Sequence, residues 1–304
     1  MFGTKFEDIP IADDATTFKF DAYRDVEFEL YTTKNPKIFQ RVLIDDQKSL
    51  LASNFNPAHP TRLIIHGAST NGTSESITYP RNGYLKRGDF NVFGVNWGKG
   101  SSFSLKLPKR MKAVGEIVAK FIYFLIREGG ASMDDMGIVG HSAGANIVSF
   151  VGKSTNGDLP LLVSQDPPRS FSKHFYGKSL PEKSDAKYVE VLHTAARKNS
   201  IFTREAVGHA DYYPNGGADQ PYCKRFTGND RDYCNHMIAI AYFAEAIASE
   251  KGFWAKRCKT WVGIDEGKCE FDGVVKKMGG EPVDKTPGVF YLETEEDYPF
   301  AKGI

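Results

Sequence analysis

Apolar and polar side chains alternate along Val26–Thr32, a pattern that is typical of a half-buried β-strand. Shorter and more uniformly apolar runs predict further strands, several of them fully buried. These runs are Arg41–Ile44, Arg62–Ile65, Asn91–Trp97, Ile138–Val139, Leu161–Ser164 and Tyr188–Leu192.

Other segments carry apolar residues at helical spacing, and they predict helices over Met111–Arg127, Ala145–Lys153 and Met237–Ser249. The last of these is so apolar that it must be buried. Strands that alternate with helices predict an α/β fold with a mainly parallel central sheet and helices on both faces. Without internal repeats or linkers, residues 1–304 are expected to form a single catalytic domain. Active sites in such folds lie at the carboxyl ends of the strands.

Composition narrows the class of protein. The chain has 304 residues, of which 41% are hydrophobic and 25% charged, and its formal net charge is +1. These values are typical of a soluble globular protein and give no reason to expect a nucleic-acid partner. No run approaches the roughly 20 apolar residues of a transmembrane helix. The polar start at Met1–Lys5 is not a signal peptide, so the chain is either cytosolic or the mature part of a secreted protein.

Four cysteines lie within one stretch, as Cys223, Cys234, Cys258 and Cys269. They permit three disulfide connectivities, and their spacing does not fit a zinc site. The local pairing of Cys223 with Cys234 and of Cys258 with Cys269 closes two small loops without long-range closure. We expect these disulfides, with buried free thiols as the alternative, and they favour a secreted protein.

The segment Gly140–Gly144 reads Gly-His-Ser-Ala-Gly and lies between a predicted strand and a predicted helix. In that context a G-x-S-x-G sequence forms a sharp turn that exposes the serine hydroxyl at the edge of the sheet. The N-terminus of the following helix offers N–H groups to a developing oxyanion. Ser142 is therefore a candidate nucleophile, although an ordinary glycine turn would have the same residues.

A nucleophilic serine requires a histidine base and a carboxylate that orients it. Asp166 follows the strand Leu161–Ser164 and precedes two prolines, which places its carboxylate at the carboxyl edge of the sheet. His236 is the preferred base because it follows both other residues in the chain and lies two residues after Cys234. His66 and His141 adjoin turns, where a packing or hydrogen-bonding role is expected. The remaining histidines are His59, His174, His193 and His209.

The chain resembles the animal pancreatic lipase family, which has the α/β-hydrolase fold, and most closely its insect phospholipase A1 members. The resemblance runs from about residue 25 to the C-terminus. The matching segments are Leu30–Thr32, Ile65–Gly67, Val95–Trp97, Gly140–Gly144, Asp166–Pro167, Ser184–Thr194, Gly208–Gly217 and Cys234–His236.

The resemblance implies that Ser142, Asp166 and His236 are the catalytic triad and that the reaction passes through an acyl-enzyme. It also implies that the backbone N–H groups of Ala68 and Ala143 form the oxyanion hole. No cofactor is expected. The calcium-site segment of the family corresponds to Tyr176–Asp185, where only Glu182 and Asp185 carry carboxylates, so we expect no metal.

The chain also departs from the family pattern. Ala143 stands in place of the usual Leu, Asn146 in place of a His, and Asn96 where an Asp commonly precedes the Trp. The C-terminal lipid-binding domain of digestive lipases and most of the family's cysteines are expected to be absent.

The lid of the family corresponds to the ten residues 224–233, between Cys223 and Cys234. Five of the ten are charged, so the lid is short and polar. This favours phospholipid over neutral fat, and it predicts a phospholipase A1 that releases the sn-1 fatty acid at a membrane or micelle surface. Alternatives are a neutral triacylglycerol lipase or galactolipase, and a non-catalytic lipid-binding or storage protein. The pair Ile201–Phe202 is expected either at the lipid surface or in the core. Asn71 begins a glycosylation sequon that also suits an ordinary Asn-Gly turn.

Overall fold

The structure, a computed structural model, describes residues 19–169 and 179–303. Its strands are β1 (Glu27–Tyr31), β2 (Gln40–Val42), β3 (Thr61–Ile65), β4 (Asn91–Asn96), β5 (Met136–His141), β6 (Leu161–Gln165), β7 (Val189–Leu192), β8 (Ala210–Pro214), β9 (Phe253–Cys258), β10 (Phe271–Met278) and β11 (Gly288–Leu292). Its α-helices are α1 (Ala22–Asp25), α2 (Gln47–Leu51), α3 (Glu75–Arg87), α4 (Leu107–Gly129), α5 (Ala143–Ser154) and α6 (Gly228–Ala248).

The strands of the described residues form one sheet in the order β10-β9-β11-β8-β7-β6-β5-β3-β4-β1-β2. The seven central strands, from β11 to β4, run parallel. Antiparallel strands complete both edges, β9 and β10 at one end and β1 and β2 at the other. The predicted mainly parallel sheet is thus confirmed.

Neighbouring residues of β3 face opposite sides of the sheet and belong to different cores. Leu63 and Ile65 pack in the core that includes the buried faces of α4 and α5. Ile64, between them, packs in the core that includes α3 and α6. Because successive side chains of a strand point to opposite faces, this arrangement places helices on both sides, as the sequence predicted.

The predicted helices are longer in the structure than their apolar patterns. Helix α4 begins four residues before Met111, with Pro108 in its first turn, and it ends at the left-handed Gly130. Helix α6 begins at Gly228, nine residues before Met237, because its first turns are polar and partly exposed. The apolar pattern reports only the buried part of each helix.

Both local disulfides are present. Cys223 is bonded to Cys234 and Cys258 to Cys269, with Cα atoms 5.6 and 5.1 Å apart. The first joins the turn before α6 to the second turn of that helix, and the second joins the end of β9 to the loop before β10. Within residues 19–169 and 179–303, no helix combines the length and hydropathy required to cross a membrane.

Candidate active site

Ser142 lies at the turn between β5 and α5, at the carboxyl end of the sheet. Its backbone has φ 59° and ψ −124°, a conformation that non-glycine residues rarely adopt. The turn is tight because residues 140 and 144 are glycines. A Cβ at 140 would lie 2.2 Å from the carbonyl oxygen of Gly144, and one at 144 would lie 2.3 Å from that of Ile65. The close approach of helix and strands therefore holds Ser142, which is partly exposed, in this conformation.

His236 and Asp166 meet across the end of the sheet. The Nδ1 atom of His236 lies 2.6 Å from Oδ2 of Asp166, and both side chains are almost fully buried. Since an ionised carboxylate only accepts hydrogen bonds, Nδ1 is the donor. Nε2 of His236 is then the nitrogen left to accept a proton.

The second oxygen of Asp166 is also held. Oδ1 accepts hydrogen bonds from the backbone N–H groups of Thr194 and Ala195, at 3.0 and 3.1 Å. These residues follow β7, the strand next to β6. Asp166 itself is in a left-handed conformation (φ 50°), and its own N–H donates to the carbonyl of Leu192. Two backbone N–H groups thus hold the carboxylate that faces His236, and a backbone hydrogen bond holds the residue that carries it.

His66 shapes the loop that carries Ala68. Its Nε2 accepts a hydrogen bond from the Trp97 N–H at 3.1 Å, so Nδ1 carries the proton and donates to the carbonyl of Gly67 at 2.8 Å. Burial lowers the pKa of His66 to about 4, which keeps the ring neutral. The hydrogen-bonding role expected for His66 is what the structure shows.

The next residues of that loop lie beside Ser142. A Cβ at Gly67 would be 3.0 Å from Cβ and 3.5 Å from Oγ of Ser142. Ala143 is the first residue of α5, so its N–H has no partner within the helix. In the described part of the chain neither Ala68 N–H nor Ala143 N–H donates to another protein group.

Two aromatic rings flank the imidazole of His236. Phe202 stacks on it with ring centroids 4.1 Å apart and an interplanar angle of 23°. His141 lies 4.4 Å away and hydrogen-bonds the backbone carbonyl of His236 through Nε2. Burial, and then the neighbouring His236, lower the pKa of His141 well below its ordinary value, so it stays neutral. Ile201 points outward and is 51% exposed, whereas Phe202 is 8% exposed. The pair is therefore divided: Ile201 is exposed and Phe202 is buried.

The other histidines lie elsewhere. His59 contacts Asn56 in a loop, and His209 accepts a hydrogen bond from the Val189 N–H. His193 forms a second buried His–Asp pair, with Asp211, which the sequence analysis did not predict. His174 lies outside the described residues.

A cleft of about 490 Å³ opens beside His236, between the loop after β7 and the start of α6. Its apolar side includes Phe202, Ile201 and Ala195, and its polar side includes Lys198, Asn199 and Asp232. A slightly larger cleft of about 580 Å³ lies between α3 and α6. Of these two clefts, only the smaller is lined by Phe202 and Asn235, which adjoin His236; Ser142, Asp166 and His236 do not themselves line it.

In the described part of the calcium-site segment, the Asp185 carboxylate is hydrogen-bonded by other protein groups. Asp185 is buried, and its carboxylate accepts hydrogen bonds from Lys153 Nζ, Ser149 Oγ and the Glu182 N–H. Residues 176–178 of this segment lie outside the described residues. Among the described residues, no group of three His, Cys, Asp or Glu side chains has the arrangement of a metal site.

The three departures from the family pattern leave the geometry intact. Asn146, at the usual His position, donates to the carbonyls of Pro168 and Ser179. Asn96 donates to Glu29 and accepts from the Gly98 N–H. The side chain of Ala143 is fully buried. None of these residues hydrogen-bonds Asp166 or His236 within the described chain.

Comparison with known proteins identifies the family. Residues 5–300 match the model of the Lipase family. Inactive pancreatic lipase-related protein 1 of Mus musculus is 31% identical over 80% of this chain and 55% of its own length. Pancreatic triacylglycerol lipase of Homo sapiens is 30% identical over 90% of this chain and 64% of its own length.

The chain thus spans between half and two thirds of the length of these curated relatives. A solved α/β hydrolase from Vibrio vulnificus is 18% identical, with a TM-score of 0.33 over 43% of this chain and 55% of that one. The parallel sheet, the serine turn after β5 and the helices on both faces are those of the predicted α/β-hydrolase fold. The chain belongs to the lipase family that includes the animal pancreatic lipases.

Proposed function

We propose that the protein hydrolyses carboxylic esters of lipids, with Ser142 as nucleophile, His236 as general base and Asp166 as the carboxylate that orients the base. The observation that carries this proposal is the 2.6 Å contact between His236 Nδ1 and Asp166 Oδ2 at the same edge of the sheet as the strained Ser142. A carboxylate on Nδ1 fixes the tautomer whose Nε2 accepts a proton.

The reaction has two halves. Ser142 Oγ attacks the ester carbonyl while His236 Nε2 takes its proton, and the N–H groups of Ala68 and Ala143 stabilise the oxyanion. The C–O bond to the alcohol then breaks, and His236 returns the proton to the departing oxygen. A water molecule, deprotonated by His236, attacks the acyl-enzyme and releases the fatty acid and the free serine.

We further propose that the substrate is a phospholipid cleaved at the sn-1 position. The segment 224–233 supports this substrate, since four of its five charged residues are exposed. Three charges of the segment form ion pairs with neighbouring loops: Arg231 with Asp219 at 2.9 Å, Arg225 with Asp297 at 2.7 Å and Asp232 with Arg197 at 2.5 Å. Of these charged residues, Asp232 lines the cleft beside His236, and a polar lining suits a polar headgroup better than a triacylglycerol.

We also propose that the protein is secreted. Two disulfides among the described residues suit an oxidising compartment. The exposed Ile201 at the rim of the cleft offers an apolar contact to the surface of a membrane or micelle.

The test uses phosphatidylcholine vesicles whose sn-1 and sn-2 acyl chains differ. We expect wild type to release the sn-1 acid and Ser142→Ala to release none. Ser53→Ala is the matched control, since the Ser53 hydroxyl contacts the local backbone after α2, donating to the Leu50 carbonyl and accepting from the Phe55 N–H. Equal turnover by wild type and Ser142→Ala would refute the mechanism.

Two relatives define the competing outcomes. Similarity to a triacylglycerol lipase favours neutral fat as an alternative substrate, which emulsified triacylglycerol and a galactolipid test in parallel. Similarity to a protein named inactive favours a non-catalytic role, which would appear as no release from any of these lipids.

A further inference from the structure

A second buried pair of ionisable side chains, His193 and Asp211, takes no part in the mechanism above. Both side chains are at most 1% exposed, and Nε2 of His193 lies 2.9 Å from Oδ1 of Asp211. Nδ1 of His193 lies 2.9 Å from the carbonyl oxygen of Thr203. Because a carbonyl oxygen can only accept, Nδ1 carries a proton and donates it. The ring therefore fastens residue 203 to the end of β7.

His193 is itself held in place on every side. The carboxylate of Asp211 accepts hydrogen bonds from the N–H groups of Val207 and Gly208, at 3.0 and 2.9 Å. The imidazole stacks on Tyr213 with ring centroids 4.4 Å apart and planes 7° apart. A ring with one carboxylate, one carbonyl and one aromatic face as neighbours has a single orientation.

The segment that His193 fastens is the one that touches the proposed base. Ile201 accepts a hydrogen bond from the Arg169 N–H at 2.7 Å, and the Thr203 N–H donates to Pro167 at 3.0 Å. Phe202 lies between these two bonds and stacks on His236. The position of the Phe202 ring is thus set on one side by the loop after Asp166 and on the other by His193.

We propose that His193, oriented by Asp211, is a positioning residue for His236. It holds the Thr203 carbonyl, and through it the Phe202 ring, so that the imidazole of His236 keeps the orientation set by its bond to Asp166 and Nε2 can take the Ser142 proton in the proposed mechanism. His193 also directly precedes Thr194 and Ala195, whose N–H groups hold Asp166. The buried His193 is therefore linked to both groups that contact His236, the Asp166 carboxylate and the Phe202 ring.

The inference rests on the proposed function, and two matched variants test it. A glutamine places its amide nitrogen near the position of Nε2, so His193→Gln keeps the bond to Asp211 and loses the bond to Thr203. An asparagine places its amide near Nδ1, so His193→Asn keeps the bond to Thr203 and loses the bond to Asp211. On a soluble short-chain ester, we expect His193→Gln to lose on the order of tenfold to a hundredfold in kcat with KM unchanged. We expect His193→Asn to retain most of kcat.

A spectroscopic readout separates positioning from folding and from activity. The downfield proton resonance of the His236–Asp166 hydrogen bond is measured without substrate, and we expect it to shift or broaden in His193→Gln and not in His193→Asn. If wild type hydrolyses no ester, the proposed function fails while this resonance still tests the positioning role. Equal kcat and identical resonances in the two variants would overturn the inference.

Phe202→Ala supplies a variant that leaves the buried pair untouched. We expect it to reduce kcat as His193→Gln does, and the double variant to lose no more than Phe202→Ala alone, because both changes remove the same support. Wild-type kcat in Phe202→Ala, or fully additive losses in the double variant, would also overturn the inference.

Discussion

His66 accepts a hydrogen bond from the backbone N–H of Trp97, and the two rings stack with centroids 5.4 Å apart. The Trp97 indole N–H in turn donates to the His66 carbonyl at 2.9 Å. The end of β3 and the end of β4 are thereby joined directly before the loop that carries Ala68. Since His66 accepts at Nε2, protonation of the ring breaks the hydrogen bond from the Trp97 backbone N–H.

The contribution of His66 to stability is expected to depend on pH. Its pKa in the folded state is about 4, against an ordinary value of 6.5. A depressed pKa means that the stabilisation is fully present above pH 6.5 and is lost as the pH falls toward 4, because only the unfolded chain takes up the proton. The loss is about 1.4 kcal/mol per pH unit over that interval.

His66→Gln is the matched variant for this prediction, since its amide oxygen can accept from the Trp97 N–H but does not titrate. Urea unfolding of both proteins at pH 7 and pH 4.5 measures the effect. We expect the free energy of unfolding of wild type to fall more between pH 7 and pH 4.5 than that of His66→Gln. A difference that is the same at both pH values would contradict the assignment.

Removal of the charge from Asp166 is expected to abolish most of the activity without unfolding the protein. In Asp166→Asn the amide oxygen can still accept from Thr194 and Ala195, but the amide NH₂ meets Nδ1 of His236 and favours the wrong tautomer. We expect kcat on a soluble ester to fall by about 10⁴-fold. Asp134→Asn, which removes an exposed carboxylate, is the control and should leave kcat unchanged. Wild-type kcat in Asp166→Asn would exclude this carboxylate from the mechanism.

The two disulfides provide a comparison at equal loop length, since both span a sequence separation of 11. Loss of either disulfide should lower the free energy of unfolding by about 2–3 kcal/mol. Only the first lies near the base, because Cys234 precedes His236 by two residues in α6. We therefore expect Cys223→Ala/Cys234→Ala to lower kcat as well and Cys258→Ala/Cys269→Ala to leave it unchanged. Chemical denaturation and initial rates at low temperature distinguish the two effects, and equal rates would contradict the prediction.

A methyl group at Gly144 is expected to disturb both stability and catalysis. It would meet the carbonyl oxygens of Ile65 and His66 at 2.3 and 2.8 Å, so α5 must move away from β3. We expect Gly144→Ala to lose about 1–3 kcal/mol of stability and to misplace the Ser142 hydroxyl. Gly88→Ala is the control, because its backbone is extended (φ 167°) and no atom lies within 4 Å of the added Cβ. A normal melting temperature and normal kcat in Gly144→Ala would show that the turn is looser than described.

The sequence predicted strands β1 to β7 and missed strands β8 to β11. Buried runs such as Arg62–Ile65 coincide with parallel strands because both of their faces are apolar. Strands β9 and β10 mix Lys, Arg and Gly with apolar residues at an edge of the sheet, which hides them from a hydrophobic pattern, and the parallel strands β8 and β11 were missed as well. Helix α3 was missed because it is polar and contains Pro80.

Within the site, the sequence predicted those residues that a local motif or a neighbouring element indicates. Asp166 and His236 were selected by chain order and neighbouring elements, and the structure brings them together 70 residues apart. No local motif indicated that His193 and Asp211 form a pair. Their contact depends on the register of β7 and β8, and neither residue has an unusual neighbour in sequence. The stacking of Phe202 on His236 similarly depends on a loop whose path no periodicity encodes.

The left-handed backbone of Ser142 is expected to make any hydrolysis that depends on this residue an early indicator of melting. This conformation persists only while α5 presses against the ends of β3 and β5, so a small local loosening lets the chain relax to an ordinary turn. On gentle warming, we expect such hydrolysis to stop while the circular dichroism spectrum still reports an intact fold.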